Sequence, residues 1–275
     1  MAIHANLILD ESPHSAELIS WIHFFWPHIP GNQISIELVD GIMQHPLDSI
    51  FDSELLENHA YSYVELCSKV VHRGEFCQEF LFNQAIQLVS SKGYKTQVYS
   101  EPNAIQHWIE NSKFHDLSIF SRAQLEKSDW KIKEHLLDYF VRSSPPILLL
   151  PVQPKPFSKL IFTFDGSLHA TQTIKKFIQL FAFLFPATPL IFNTIIQPES
   201  LPQEKPIIEY IKSYCPNFSL IRTYLSEQWD EILPLVFDGE RNLWVSCFAR
   251  NTMSEFLRNL PQKAIENTQT AIFFD

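Results

Sequence analysis

One short pattern occurs twice in this chain, and the two occurrences lie 155 residues apart. Residues 6–22 (NLILDESPHSAELISWI) and 160–177 (LIFTFDGSLHATQTIKKF) each contain an apolar strand, then Asp-x-Ser-x-His, then apolar residues at helical spacing. The matching residues are Asp10 with Asp165, Ser12 with Ser167, His14 with His169 and Ile19 with Ile174. This internal repeat predicts two copies of one domain arranged in tandem.

The ends of the two copies also agree. Residues 115–122 (HDLSIFSR) and 242–250 (NLWVSCFAR) are predicted late strands, and each is followed by a helix. A last apolar strand then closes each copy, PILLLPV at 146–152 and TAIFF at 270–274.

These similarities set the domain boundaries. We predict one domain at 1–152 and a second at 157–275, joined by the proline-containing linker QPKPF. The first copy carries an insertion of about thirty residues, near 44–73, between its second strand and its next helix. This insertion is either a lid or, as we favour, a packing or interface element.

Apolar strands alternate with amphipathic helices in both copies, which is typical of a parallel sheet with helices on both faces. We predict an α/β fold with two tandem open five-stranded sheets. In the second copy the strands are expected at 159–164, 189–196, 218–225, 243–247 and 270–274, and the helices at 168–184, 203–214, 227–237 and 252–267. In the first copy the strands are expected at 5–9, 33–39, 94–99, 116–120 and 146–151, with a helix at 75–91.

Composition excludes several classes of function. The net charge is −10, and most of the excess acidic residues precede residue 153, so we expect no nucleic-acid partner. The most apolar stretch, 177–192, is interrupted by polar residues and prolines, so we expect neither a membrane span nor a membrane partner. The absence of a signal-peptide pattern and four cysteines without paired spacing favour a cytoplasmic protein. The series Cys67-x4-His72-x4-Cys77 lacks the spacing of structural zinc sites, and no metal site is predicted.

The repeated unit resembles the universal stress protein family. The motifs that carry this resemblance are FDGSLHA at 164–170 and the junction PPILLLPVQPKPFSKLIFTFDGS at 145–167. The resemblance covers nearly the whole chain and implies strand order 3-2-1-4-5 in each half, with the halves packed as a pseudo-dimer. It also implies an ATP site, built from a glycine-rich loop after the fourth strand and an acidic residue at the end of the first.

The glycines of that loop are missing here. Alignment of the fourth strand places Ser121 and Cys247 at the first glycine, and Gln124 and Arg250 at the second. Glycines let backbone N–H groups close on phosphate oxygens, and side chains at these positions would fill the phosphate volume. We therefore expect no cofactor, with ATP or AMP as the alternative. The positions equivalent to the family nucleotide site are Asp165, Gly166, Asp10, Ser121 and Cys247.

The repeated turn has two further interpretations. Ser12 and Ser167 are suitable helix N-caps, so the turn is explained by folding alone, whereas ligand contact by Asp10 and Asp165 is the functional alternative. The Asp-x-Ser-x-His pattern does not predict a hydrolytic triad, because no nucleophile elbow accompanies it. Aromatic residues of 21–26 and 177–185 are expected in the core or a dimer interface, and the apolar run Leu180–Phe185 suggests burial by a partner subunit.

The sequence therefore predicts a non-catalytic stress-response or signalling module that self-associates as a homodimer or binds another protein. The alternative is a small-molecule or adenine-nucleotide sensor that uses a modified site at the turn after the first strand. An enzyme is not expected, because no nucleophile, metal or acid/base constellation is present.

Overall fold

The computed structural model describes residues 3–10, 18, 21, 33–39, 104–122, 125, 130–151, 153–196, 204–224, 233–259 and 269–275. The strands are β1 (His4–Asp10), β2 (Gln33–Val39), β3 (Leu117–Ser121), β4 (Ile147–Leu150), β5 (Lys159–Phe164), β6 (Leu190–Ile196), β7 (Phe218–Tyr224), β8 (Asn242–Val245) and β9 (Ala271–Phe274). The helices are α1 (Ala104–Ser112), α2 (Trp130–Arg142), α3 (Leu168–Phe181), α4 (Glu204–Lys212) and α5 (Arg250–Asn259), and a 3-10 helix, Ala182–Leu184, follows α3.

The described strands form one nine-stranded sheet in the order β2-β1-β3-β4-β9-β8-β5-β6-β7. Neighbours within each half are parallel, and β4 pairs with β9 antiparallel. In the second half the order β7-β6-β5-β8-β9 reads 3-2-1-4-5 when the strands are numbered within that half. The α/β fold with a mostly parallel sheet is therefore as expected.

The expectation of two separate sheets is wrong. Leu148 of β4 pairs with Phe273 of β9, so the last strand of each half continues the sheet of the other. Both strands are buried at every position, which explains why neither ends the sheet: an exposed apolar edge would leave main-chain groups unpaired.

Local sequence explains most element boundaries. β5 begins and ends where it was predicted, because a largely apolar run meets Asp165 and Gly166 there. The helix after it ends earlier than the predicted 184, since Ala182–Leu184 tightens into a 3-10 turn ahead of Pro186. The predicted strand at 94–99, the helix at 75–91 and the insertion at 44–73 lie outside the described residues, and the domain boundaries stay a prediction.

Aromatic rings fill the core between the sheet and α3. Phe177 of α3 contacts Phe162 of β5 and Phe273 of β9 at centroid separations of 5.3 and 5.2 Å. Phe181 lies 6.0 Å from the ring of Phe273, and Leu184 and Phe185 are buried as well. The apolar run Leu180–Phe185 therefore packs largely against its own chain, and its burial needs no partner subunit.

Further contacts join the two halves outside the sheet. Helices α2 and α5 pack against each other beside the β4–β9 pair. In the linker, Phe157 is buried and stacks on Trp21 at 5.4 Å, and the Trp21 indole N–H donates to the carbonyl of Pro151. The predicted linker is thus packed against the first half.

Candidate functional site

The turn between β5 and α3 has the geometry that its sequence predicts. A carboxylate oxygen of Asp165 accepts the N–H of Ser167 at 2.9 Å, and Gly166 has a φ of 83°, a left-handed conformation that favours glycine. Ser167 is the N-cap of α3, and its hydroxyl accepts the N–H of Ala170 at 3.0 Å. The turn therefore places a half-buried carboxylate beside the positive end of a fourteen-residue helix.

Thr163 forms the base of this site. Its hydroxyl donates to the carbonyl of Val245 at 3.2 Å and accepts from the Trp244 indole N–H at 3.2 Å and the Cys247 N–H at 3.0 Å. A single buried hydroxyl thus fixes the end of β8 against β5. Sequence reasoning missed this residue, because a lone threonine in an apolar strand carries no recognisable signal.

The segment after β8 occupies the position expected for the family phosphate loop, and buried side chains fill it. Cys247 and Phe248 are only 2% and 8% exposed. Burial raises the pKa of the Cys247 thiol, and the negative charge of Asp165 raises it further. The thiol is therefore held neutral and is a poor nucleophile or metal ligand.

His169 of α3 contacts the backbone of the segment after β8. Its Nε2 lies 3.3 Å from the carbonyl oxygen of Phe248, to which it can donate. The Ser167 hydroxyl is bonded to the backbone of its own helix rather than to this imidazole. The Asp-Ser-His pattern of the second half accordingly forms a capped turn, with no serine–histidine pair.

Arg250 points away from the site and into the first half of the chain. Its guanidinium makes six hydrogen bonds, to the carbonyls of Phe140, Ser143, Ser144 and Pro145, to the Ser143 hydroxyl and to the Asp275 carboxylate. Burial lowers the pKa of Arg250, while the Asp275 carboxylate counteracts the effect. The residue aligned with the second loop glycine therefore anchors the segment preceding β4.

A second arginine makes the reciprocal contact. Arg122, just after β3, is buried and donates to the carbonyl of Thr270, the residue before β9, at 3.0 Å. Each half thus reaches across the sheet to the start of the other half's last strand. Both segments contain a Phe-x-Arg triplet, FSR at 120–122 and FAR at 248–250, but the two arginines are two residues out of register in the strand alignment.

The structure brings together only some of the predicted site residues. Asp165, Gly166 and Cys247 lie at one end of β5. Asp10 is the last residue of β1, and Ser121 ends β3 as a buried residue of the same half. Ser12, His14, Gln124, Cys67, His72 and Cys77 lie outside the described residues.

Two buried polar atoms lie next to this end of the sheet. Asn193 of β6 is paired in register with Thr163, and Ile195 with Thr223 of β7, so all four side chains project from one face. The Asn193 carbonyl oxygen and the Thr223 hydroxyl have no hydrogen-bond partner within the described part of the chain. Such groups normally find a partner or a water molecule.

Comparison with solved structures identifies the fold. The crystal structure of a universal stress protein from Archaeoglobus fulgidus DSM 4304 aligns with 98% of this chain and 97% of its own, with a TM-score of 0.59 and 12% identity. This chain has a universal-stress-protein-like fold. No protein-family model matches it, and neither does any curated protein. A UDP-N-acetylglucosamine 2-epimerase structure covers 98% of this chain and 92% of its own, with 9% identity and a TM-score of 0.17, too low to indicate a shared fold.

The described part of this universal-stress-protein-like fold contains neither a metal site nor a membrane-spanning helix. Its described residues include no cluster of three or more His, Cys, Asp or Glu side chains that could hold a metal ion. Among its described helices none is both long and apolar enough to cross a bilayer. A shallow, open groove lies between α2 and α5, at the junction of the halves rather than beside Asp165.

Proposed function

We propose that this chain is a tandem universal-stress-protein-like module of a stress response or signalling pathway, non-catalytic and without the usual ATP-binding loop. Its two halves form a pseudo-dimer within one chain, and the protein self-associates. The single observation that carries the loss of ATP binding is the segment after β8, in which Cys247 and Phe248 are buried and Arg250 is bonded to the other half.

The physical reason is that the backbone donors of this segment are already hydrogen-bonded. A phosphate cradle needs several consecutive N–H groups turned toward one anion. Here the N–H of Cys247 is bonded to Thr163, and the N–H of Phe248 is bonded to the Ser246 hydroxyl at 3.1 Å. Two donors that a phosphate would need are therefore already engaged.

Thermal unfolding with and without 1 mM Mg-ATP or AMP tests this part. A dissociation constant near 10 µM would stabilise the protein by about 2.7 kcal/mol at a hundredfold ligand excess. For a chain of this size that is a rise in Tm of roughly 5 °C or more. We expect a shift of under about 1 °C, and a rise of the larger size would contradict the proposal. Phosphate release from ATP by the pure protein would contradict non-catalytic status, provided that controls exclude a contaminating enzyme as its source.

The second candidate is a small-molecule or adenine-nucleotide sensor at the β5–α3 turn. The capped Asp165 turn and the unpartnered oxygens of Asn193 and Thr223 favour it, because they are polar groups on one end of the sheet. If AMP or ATP stabilises the wild type, Asp165→Ala should abolish the stabilisation, while Asp138→Ala, at a half-exposed aspartate on α2, should preserve it. Equal stabilisation of both variants would exclude the turn as the binding site.

A further inference from the structure

We propose that the outer edge of β7 is a homodimer interface, at which two copies of this chain pair their β7 strands antiparallel. The inference rests on the self-association in the proposed function and goes beyond it by naming the surface. β7 lies at one end of the sheet, and among the described strands it pairs only with β6. Its outer N–H and C=O groups thus have no strand partner among the described residues.

The exposed part of the edge offers an apolar side chain on each face. Four consecutive residues, Ser219–Arg222, are exposed, including Leu220 at 38% and Ile221 at 37%. Successive strand residues project to opposite faces, so each face offers one of these two side chains. An exposed apolar strand of this kind is a template for pairing with another chain.

The usual protections of an edge strand are missing from β7. It contains no proline or lysine, and all seven of its residues stay in unbroken register with β6. Its one charged residue, Arg222, is paired with Glu204 of α4, with nitrogen–oxygen distances of 3.1 and 3.5 Å. The edge therefore carries no net charge that would repel a second copy.

The sequence of β7 is complementary to itself in one antiparallel register. A two-fold axis perpendicular to the sheet relates the two copies, so directly opposed side chains project from the same face. Since side chains alternate along a strand, an even-numbered residue must lie opposite an even-numbered one, and an odd-numbered residue opposite an odd-numbered one. With Leu220 opposite Leu220, Phe218 of each copy lies opposite Arg222 of the other. This register joins two leucines and two arginine–aromatic pairs, and it places no like charges together.

The chain already contains one joint of this design. β4 and β9 pair antiparallel, with α2 and α5 packed beside them. In the proposed dimer the two α4 helices flank the β7 pair in the same manner, since Leu220 shares its face with Phe192 and with the side of the sheet that α3 and α4 cover. An isologous pair of β7 strands also closes, whereas pairing of β7 with β2, the strand at the opposite end of the described part of the sheet, would build filaments.

The first experiment is sedimentation velocity over a range of protein concentrations. The wild type is expected to be a dimer. Leu220→Lys places two ammonium groups opposite each other and should raise the dimer dissociation constant by about tenfold or more. Leu168→Lys, at a leucine exposed on α3, is the matched control and should leave it unchanged.

The outcomes separate this inference from the rest. A monomeric wild type would overturn both the interface and self-association. A dimer that tolerates Leu220→Lys, or a filament, would overturn the interface alone. None of these results depends on the nucleotide titration.

Oxidative cross-linking tests the register. Leu220→Cys brings two thiols directly opposite each other, within reach of a disulfide, and should yield a covalent dimer above the background of the wild type. Ile221→Cys lies diagonally from its counterpart, at roughly 7–8 Å, and should not. Cross-linking at 221 rather than 220, or at neither position, would overturn the proposed pairing.

Discussion

Replacement of Arg250 tests how the two halves are held together. The guanidinium makes six hydrogen bonds at 2.6–3.2 Å, and its side chain is only 14% exposed. Five of the six acceptors belong to residues 140–145. In Arg250→Ala these acceptors lose a charged donor, and the Asp275 carboxylate loses one partner.

The expected cost follows from these contacts. The six contacts share the four N–H groups of the two terminal nitrogens, and about 1 kcal/mol for each N–H gives a loss of about 4 kcal/mol, within the range of about 3–5 kcal/mol for breaking a buried ion pair. Arg250→Lys should recover only a fraction of the loss, because an ammonium cannot reach acceptors arranged for a planar fork. Equilibrium unfolding in urea, followed by tryptophan fluorescence, measures the change as a fall in the midpoint.

Arg258 provides the matched control. It lies on the same helix and also crosses to α2, where it pairs with Glu134 at 2.8 Å, but the two side chains are 50% and 45% exposed. Exposed ion pairs contribute little, so Arg258→Ala should lower the urea midpoint far less than Arg250→Ala does. The reasoning would be refuted by equal losses in the two variants, or by an Arg250→Ala loss below about 1 kcal/mol.

Three further changes have defined outcomes. Burial, together with the smaller effect of nearby His4, lowers the pKa of His115 from 6.5 to about 4, so the unfolded chain binds the proton more readily than the folded chain between pH 6.5 and 4. As the pH falls through that window, stability should decrease by about 1–2 kcal/mol, after allowance for partial exposure. His115→Gln should make the urea midpoint less dependent on pH, whereas replacement of the exposed His135 should not. Thr163→Val leaves two buried N–H donors unpaired and should lower the free energy of unfolding in urea by about 2–3 kcal/mol. Thr163→Ser keeps the hydroxyl and should cost clearly less, and equal losses in the two variants would refute the role of the hydroxyl. Ser167→Ala removes the cap of α3 and should cost about 1 kcal/mol in the same assay, and a neutral result would show that the cap is not stabilising.

Apolar runs bounded by turn residues were sufficient to locate most strands. β2 and β5 have the predicted boundaries, because each is a short run of strand-forming residues between polar or turn-forming neighbours. The Asp165 turn was predictable for the same reason: an Asp-Gly-Ser sequence after a strand encodes both the left-handed glycine and the N-cap.

The joint between the halves was not predictable from the sequence. β4 and β9 are separated by more than a hundred residues, and their apolar sequences fit the end of a sheet as well as its middle. Arg250 was assigned to a lost phosphate loop because alignment reports position and not direction. Its main acceptors are backbone carbonyls, which any sequence supplies.

The antiparallel β4–β9 pair also decides where ligands could meet this protein. Strands of the first half run opposite to those of the second, so Asp10 and Asp165, each at the carboxyl end of its own central strand, lie at opposite rims of the shared sheet. No single small molecule could touch both. Ligands at the two rims would therefore occupy separate sites, and any communication between them would have to pass through the interior that the two halves share.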